Sequence, residues 1–174
     1  MAIVTSAVAG LRAARMGATM LQLRDHAATA RELEIEAELL VEITSVPILV
    51  SSRIDVARAA GAAGVNLPEA DVGVGDARRL LGMDALVGRS VHSLAAATDA
   101  ATGGADYVLY GPVFATGSHP ATPPTGLAAL RELVAAVRVP VLAIGGVNRQ
   151  NAAACLDAGA SGYASVSLFM PHPA

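Results

Sequence analysis

The sequence predicts a single barrel of eight parallel strands, the (β/α)8 class, in which every strand except the last is followed by a helix. Three observations predict this class. A short β-branched apolar run, a polar or glycine turn and an alanine- and leucine-rich helical stretch recur in that order along the whole chain. The strand runs are apolar throughout, which is typical of a sheet covered on both faces. The repeat occurs eight times, the number that closes a barrel, although an open doubly wound sheet would share the apolar strands.

Each predicted element follows from its local pattern. The apolar runs place strands at residues 3–5, 20–23, 47–50, 64–67, 86–90, 106–110, 140–144 and 162–166. The helical stretches between them cover residues 8–16, 28–44, 54–60, 75–81, 94–102, 126–137 and 148–158. In the second helix Leu33, Ala37 and Leu40 recur at steps of three and four, which gives one face for packing on the sheet. Glycines in MGATMLQL, AGAAGVNL and TGGADYVL precede strands and predict left-handed helix ends.

The composition predicts one domain that spans residues 1–174. The chain is 53% hydrophobic and 16% charged, so its interior is large relative to its surface. A net charge of −3 and the lack of tryptophan make nucleic acid a poor partner. Cys155 is the only cysteine, which excludes an internal disulfide and a cysteine-based zinc cluster and fits a reducing cytoplasm. No apolar run approaches the roughly 20 residues that cross a bilayer, so we expect no membrane partner.

The end of the chain predicts an incomplete last unit. Only residues 168–174 follow the eighth strand, so the final helix should be short or missing. Because an uncovered apolar flank commonly becomes a subunit interface, a homo-oligomer is a further hypothesis.

Polar residues follow the predicted strands at the rim where a parallel barrel holds its ligand. The candidate site residues are Gln22, Arg24, Ser52, Asn66, Asp71, Ser90, His92, His119, Gly145, Gly146, Ser165 and Ser167. The strongest local signal is VPVLAIGGVN together with GYASVSLF near the eighth strand. Gly145 and Gly146 expose backbone N–H groups close to a helix start, and Ser165 and Ser167 add hydroxyls, so we predict phosphate binding there. The alternative is that the two glycines only form a tight turn.

Two side chains carry the predicted chemistry. His92, in VGRSVHSL, is the candidate acid and base because an imidazole can both take and return a proton, with Ser90 and Ser93 as orienting partners. The alternative is a histidine that caps a helix or is a hydrogen-bonded structural residue. Arg24 offers a planar guanidinium for a carboxylate or phosphate, the alternative being an ion pair with Asp25. His119 lies in a long, proline-rich loop that we interpret as a lid.

Together these stretches make the sequence resemble the family that contains thiamine phosphate synthase and the thiazole tautomerase TenI. The resemblance covers nearly the whole chain and is densest in LQLRD, SSRIDVARAAGAAGVNLPEAD, VGRSVHS, ADYVLYGPVF and VPVLAIGGVN. It implies a (β/α)8 barrel that acts in thiamine biosynthesis on a phosphorylated thiazole.

The resemblance leaves two activities in the family to choose between. The synthase is a transferase that joins a pyrimidine diphosphate to a thiazole phosphate with Mg²⁺. Its pattern has an Asn-Asp pair where this chain has Ser51 and Ser52, and a lysine in the loop after the sixth strand where this chain has His119. Asp71 matches its second acidic position and would be a metal ligand only in a synthase.

The tautomerase branch shares GRSVHSL and the pair Leu67 and Pro68 with this chain. It implies an isomerase without metal or cofactor, in which His92 moves a proton and Gln22, Arg24, Ser52, Asn66, Ser90 and His119 bind the substrate. Pro112 stands where that branch has a second histidine. The thiazole tautomerase is therefore the expected function, with the Mg²⁺-dependent synthase and a non-catalytic regulatory protein that binds thiazole or thiamine phosphate as alternatives.

Overall fold

Eight short apolar segments form parallel strands that pair with one another in chain order. Their bounds are β1 Ala2–Val4, β2 Leu21–Leu23, β3 Ile48–Ser51, β4 Gly64–Leu67, β5 Leu86–Val91, β6 Tyr107–Tyr110, β7 Val141–Ala143 and β8 Gly162–Tyr163. The two sheet edges meet, because Ile3 donates its N–H to the Ser165 carbonyl (3.1 Å) and Ser165 donates to the Met1 carbonyl (3.2 Å). The computed structural model describes residues 1–118 and 120–170, and the predicted (β/α)8 barrel fold is confirmed.

Within the described residues, seven α-helices follow the first seven strands. Their bounds are α1 Ala7–Arg15, α2 Ala30–Ile43, α3 Ile54–Ala59, α4 Val74–Leu81, α5 Leu94–Thr102, α6 Gly126–Ala136 and α7 Ala152–Asp157. The start of α2 is fixed by a capping box in which Thr29 and Glu32 each accept the other's backbone N–H. None of the described helices has the length and apolar character that a membrane crossing requires.

Alternation along the strands divides the apolar residues between two cores. Leu21 and Leu23 point outward and pack in the layer between sheet and helices. Leu49 and Leu109 belong to a second cluster that fills the barrel interior. Gln22, between the two outward leucines of β2, therefore lies inside the barrel, where it is only 3% exposed.

Two boundaries differ from the sequence prediction by more than two residues, both beside the predicted phosphate loop. Helix α7 begins at Ala152 rather than at Asn148, because Asn148 and Gln150 form a side-chain turn first: Gln150 donates its N–H to Asn148 Oδ1 (2.9 Å). Strand β8 ends at Tyr163 rather than at Val166, and a single 3₁₀ turn, Ser167–Phe169, follows it. This single turn agrees with the prediction that the final helix is short or missing, as far as the described residues extend.

Candidate active site

The loops after β5, β6 and β7 are joined by hydrogen bonds at the rim formed by the carboxyl ends of the strands. His92 Nδ1 lies 2.5 Å from the Gly111 carbonyl oxygen. Beyond Gly111, Val113 donates its N–H to the Ile144 carbonyl (2.8 Å) and Phe114 donates to the Gly145 carbonyl (3.0 Å). The histidine and the glycine pair predicted from separate motifs are thus brought to one rim.

The glycine pair after β7 has its carbonyls bonded inside the protein and its amides free. The Gly145 carbonyl accepts from Phe114, and the Gly146 carbonyl accepts from Asn151 Nδ2 at 3.0 Å. Within residues 1–118 and 120–170, neither glycine N–H donates a hydrogen bond. Both residues have positive φ, 91° and 65°. Two adjacent free amides in this conformation suit an anion, although α7 starts too late to contribute the helix terminus expected from the sequence.

The two serines after β8 have different roles. Ser165 is buried, donates its hydroxyl to the Val147 carbonyl (2.9 Å) and accepts the Leu168 N–H (3.2 Å). Its proton is therefore committed to fixing the loop after β7. Ser167 is exposed at the start of the 3₁₀ turn, and its hydroxyl has no hydrogen-bond partner in the described part of the chain. Of the two predicted hydroxyls, Ser167 is the one available to a phosphate.

Ser52 and Asp71 stand at the two positions that are acidic in the synthase pattern, and their side chains bond to each other. Ser52 donates its hydroxyl to Asp71 Oδ2, and Asp71 Oδ1 accepts the Val72 N–H at 2.8 Å. Among the described residues no cluster of three His, Cys, Asp or Glu side chains could hold a metal. Since Mg²⁺ prefers several oxygen ligands, these residues do not fit a metal held by the protein alone.

Arg89 holds the loop that carries Asp71. Its guanidinium donates to the carbonyls of Val72 (2.7 Å), Glu69 (2.8 Å) and Asp71 (3.1 Å). Glu69 in turn accepts the backbone N–H of His92 at 2.7 Å. The sequence analysis missed Arg89, although an arginine inside a strand between Gly88 and Ser90 is an unusual enough residue to have signalled a function.

The His92 ring is orientated by its contact with the backbone. Because the Gly111 carbonyl can only accept, Nδ1 carries the hydrogen, and in the neutral ring Nε2 is the nitrogen with the free lone pair. His92 precedes the cap residue of α5, which is Ser93, so the capping role belongs to the serine. His92 is exposed and available to a ligand at the rim.

Buried polar residues inside the barrel lie below the rim. Asn66 is 1% exposed, and its side chain bonds to Tyr107 and Ser90. Gln22 Oε1 is the one buried side-chain oxygen or nitrogen among the described residues that has no hydrogen-bond partner. An unpaired buried acceptor costs free energy, so this atom is suited to a ligand donor.

Arg24 lines a cavity of about 390 Å³ beside the 3₁₀ turn, together with Thr5, Val166 and Phe169. The predicted alternative, an ion pair with Asp25, is absent from the described residues, where Asp25 instead accepts the Ala27 N–H at 2.9 Å. The remaining predicted residue, His119, lies outside the described residues. Pro112 is buried at the start of the loop that contains it.

Comparison with known proteins identifies the relatives of this chain. A family model described as thiamine monophosphate synthase matches residues 4–169. Thiamine-phosphate synthase from Methanoculleus marisnigri is 48% identical over 159 residues, which are 89% of this chain and 75% of that protein. The protein of the same name from Chloroflexus aurantiacus is 42% identical over 170 residues, 95% of this chain and 76% of that protein.

Solved structures of similar proteins have the same fold as this chain. Thiamine phosphate pyrophosphorylase from Pyrococcus furiosus superposes with a TM-score of 0.86 at 34% identity, covering 95% of this chain and 84% of that one. FabK from Thermotoga maritima has a TM-score of 0.80 at 18% identity, covers 97% of this chain and 58% of that one, and supports the fold alone. The expected tautomerase function is wrong, because the two relatives at 42% and 48% identity are named thiamine-phosphate synthases and the 34% identical structure is named a thiamine phosphate pyrophosphorylase.

Proposed function

Because this chain belongs to the thiamine monophosphate synthase family, we propose that it is a transferase that joins a pyrimidine diphosphate to a thiazole phosphate and releases diphosphate. The observation that carries the proposal is the pair of free amides at Gly145 and Gly146, on the same rim as Arg24 and Ser90. Two phosphorylated substrates need two anion-binding groups, and this rim offers them at separate strands.

The reaction requires the protein to stabilise a departing anion. The lone pair of the thiazole ring nitrogen forms a bond to the carbon that carries the diphosphate, while the bond from that carbon to the diphosphate oxygen breaks and its electron pair leaves with the diphosphate. We assign the Arg24 guanidinium and the Ser90 hydroxyl to this developing charge, since donors fixed in advance stabilise it most. The amides of Gly145 and Gly146 and the hydroxyl of Ser167 bind the phosphate of the second substrate.

Buried polar groups below the rim would orient the rings. Gln22 Oε1 needs a donor, and an amino group on the pyrimidine supplies one. The exposed Nε2 of His92 accepts a hydrogen bond at the same rim. The synthase pattern has a lysine that meets the diphosphate in the loop after β6, where this chain has Ser118 and His119.

Mg²⁺, when bound, would supply positive charge to the departing diphosphate. Asp71 is the side chain that would contact it, in a complex in which the diphosphate provides further oxygens, as is common for this ion. The protein without substrate should therefore bind divalent cations weakly.

Replacing Ser52 with aspartate is expected to create cation binding in the free protein. Ser52 has φ of 64°, a conformation that aspartate tolerates better than most residues, and its side chain already touches Asp71. Mn²⁺ titration followed by electron paramagnetic resonance should show at least about tenfold tighter binding for Ser52→Asp.

The matched control for this change is Ser161→Asp, which adds the same charge before β8 at the opposite end of the barrel. Its Mn²⁺ affinity should equal that of the unchanged protein. Equal affinities for all three proteins would show that residues 52 and 71 do not form a cation site even when both are acidic.

The proposed function is tested by incubating the purified protein with hydroxymethylpyrimidine diphosphate, thiazole phosphate and Mg²⁺. Formation of thiamine phosphate, separated by chromatography and detected as its fluorescent oxidation product, is the expected result. Tight binding of both substrates by calorimetry with no thiamine phosphate formed would overturn the proposal.

A further inference from the structure

Three polar side chains on neighbouring strands form a directed chain of hydrogen bonds through the barrel interior. Tyr107 of β6 donates its hydroxyl to Asn66 Oδ1 of β4 at 2.9 Å. Asn66 Nδ2 donates to Ser90 Oγ of β5 at 2.9 Å. Tyr107 and Asn66 are 4% and 1% exposed, whereas Ser90 is half-buried near the end of β5.

The chain of hydrogen bonds runs in one direction, from Tyr107 through Asn66 to Ser90. Burial raises the pKa of Tyr107, so its hydroxyl stays protonated. The side-chain carbonyl of Asn66 can only accept and its amide can only donate, so the tyrosine proton fixes which end of Asn66 meets Ser90. Ser90 Oγ accepts from Asn66, and its own hydrogen is left to be donated to another group.

The barrel is shaped to admit the tyrosine. Gly88 pairs with Tyr107 in the register of β5 and β6. A Cβ atom at Gly88 would lie 2.0 Å from Cζ and 2.2 Å from the hydroxyl oxygen of Tyr107. The ring therefore crosses β5 at the one residue of that strand that has no side chain, and this close approach places its hydroxyl against Asn66.

We propose that Tyr107 and Asn66 are positioning residues that make the Ser90 hydroxyl a hydrogen-bond donor to the diphosphate. The inference rests on the proposed function for the identity of the anion. It assigns roles to two buried residues that do not touch the substrate, and it changes the expected role of Asn66 from a substrate contact to a support for Ser90.

The test is a double-mutant cycle between Tyr107→Phe and Ser90→Ala. The affinity for inorganic pyrophosphate is measured by calorimetry and kcat/KM for the diphosphate substrate by turnover. Each single change should weaken both by about ten- to a hundredfold, the effect of one hydrogen bond to a charged group. The double variant should be no weaker than Ser90→Ala alone, because Tyr107 acts only through Ser90.

Tyr110→Phe is the matched control, since Tyr110 lies on the same strand, is equally buried and packs outward against the helices. It should leave both quantities unchanged. If Tyr107→Phe does not fold, Asn66→Ala breaks the same chain and should show the same lack of additivity with Ser90→Ala. Thermal unfolding of each variant identifies a folding failure.

The outcomes separate this proposal from the proposed function. Additive losses in the double variant, or full affinity in Tyr107→Phe, overturn the positioning role. Absence of pyrophosphate binding by the unchanged protein also overturns it, whatever the turnover. Pyrophosphate binding with the expected cycle but without thiamine phosphate formation supports the positioning role and overturns the transferase.

Discussion

Replacing Gly146 with alanine is expected to lower kcat/KM for thiamine phosphate formation by about 100-fold or more, the typical effect of disturbing fixed donors at a developing or bound anion. At Gly146 a Cβ atom would lie 2.3 Å from the Ala115 carbonyl oxygen and 2.8 Å from Phe114 Cβ. The loop after β6 must then move away from the loop after β7. That movement displaces the amides of Gly145 and Gly146 from the phosphate.

Gly61 provides a control that isolates the cost of the backbone conformation. Its φ is 64° against 65° for Gly146, and a Cβ atom there would have no neighbour within 4 Å. Gly61 lies between α3 and β4, at the opposite end of the barrel. Gly61→Ala should lose roughly 1–2 kcal/mol of stability, measured by urea unfolding, with kcat/KM unchanged. An unchanged kcat/KM for Gly146→Ala as well would remove the phosphate role from this loop.

The barrel could be predicted from the sequence because its signal is local and repeated. Each strand is a short apolar run, and each helix has its own periodic face, as at Leu33, Ala37 and Leu40, all of which are buried. The boundaries that were wrong depend on side-chain hydrogen bonds. Asn148 holds the turn before α7 through a hydrogen bond to its amide oxygen, and the spacing of apolar residues in the sequence does not predict such a bond.

Contiguous motifs are the part of the candidate site that the sequence indicates best. Gly145 and Gly146 stand together in the sequence, and their free amides follow from their own backbone. The chain from Tyr107 to Ser90 spans three strands and depends on their register, which the sequence does not specify. Ser165 was predicted to face a ligand, but its hydroxyl points to Val147 because β8 ends early.

The choice of activity failed for a different reason. GRSVHSL, Leu67 and Pro68 were weighed as signs of the tautomerase branch, and Ser52 was weighed against the synthase. Single positions of this kind carry less information than identity over most of the chain, which this chain shares with the synthases. A metal site made of Asp71 and the substrate's diphosphate has fewer protein ligands than one made of two carboxylates. Such a site is still compatible with a transferase.

Replacing Arg24 with alanine is expected to reduce kcat/KM for the diphosphate substrate by about 100-fold, corresponding to about 2.7 kcal/mol and to the loss of two hydrogen bonds to a charged group. Its guanidinium lines the cavity beside the 3₁₀ turn and has no carboxylate partner within the described residues. The loss should appear mainly as a higher KM for the diphosphate. Arg24→Lys should recover part of it, because an ammonium keeps the charge without the planar pair of donors.

Arg31→Ala is the matched control for Arg24→Ala. Arg31 lies in the first turn of α2, seven residues beyond Arg24, and among the residues that the structure describes its exposed side chain pairs only with Glu34 on the same helix. Removing such a surface pair changes stability by less than about 1 kcal/mol and should leave kcat/KM unchanged. Equal kinetics for the two variants would mean that Arg24 binds no substrate anion. The charge that the transfer requires would then have to come from the Mg²⁺-diphosphate complex and the backbone amides alone.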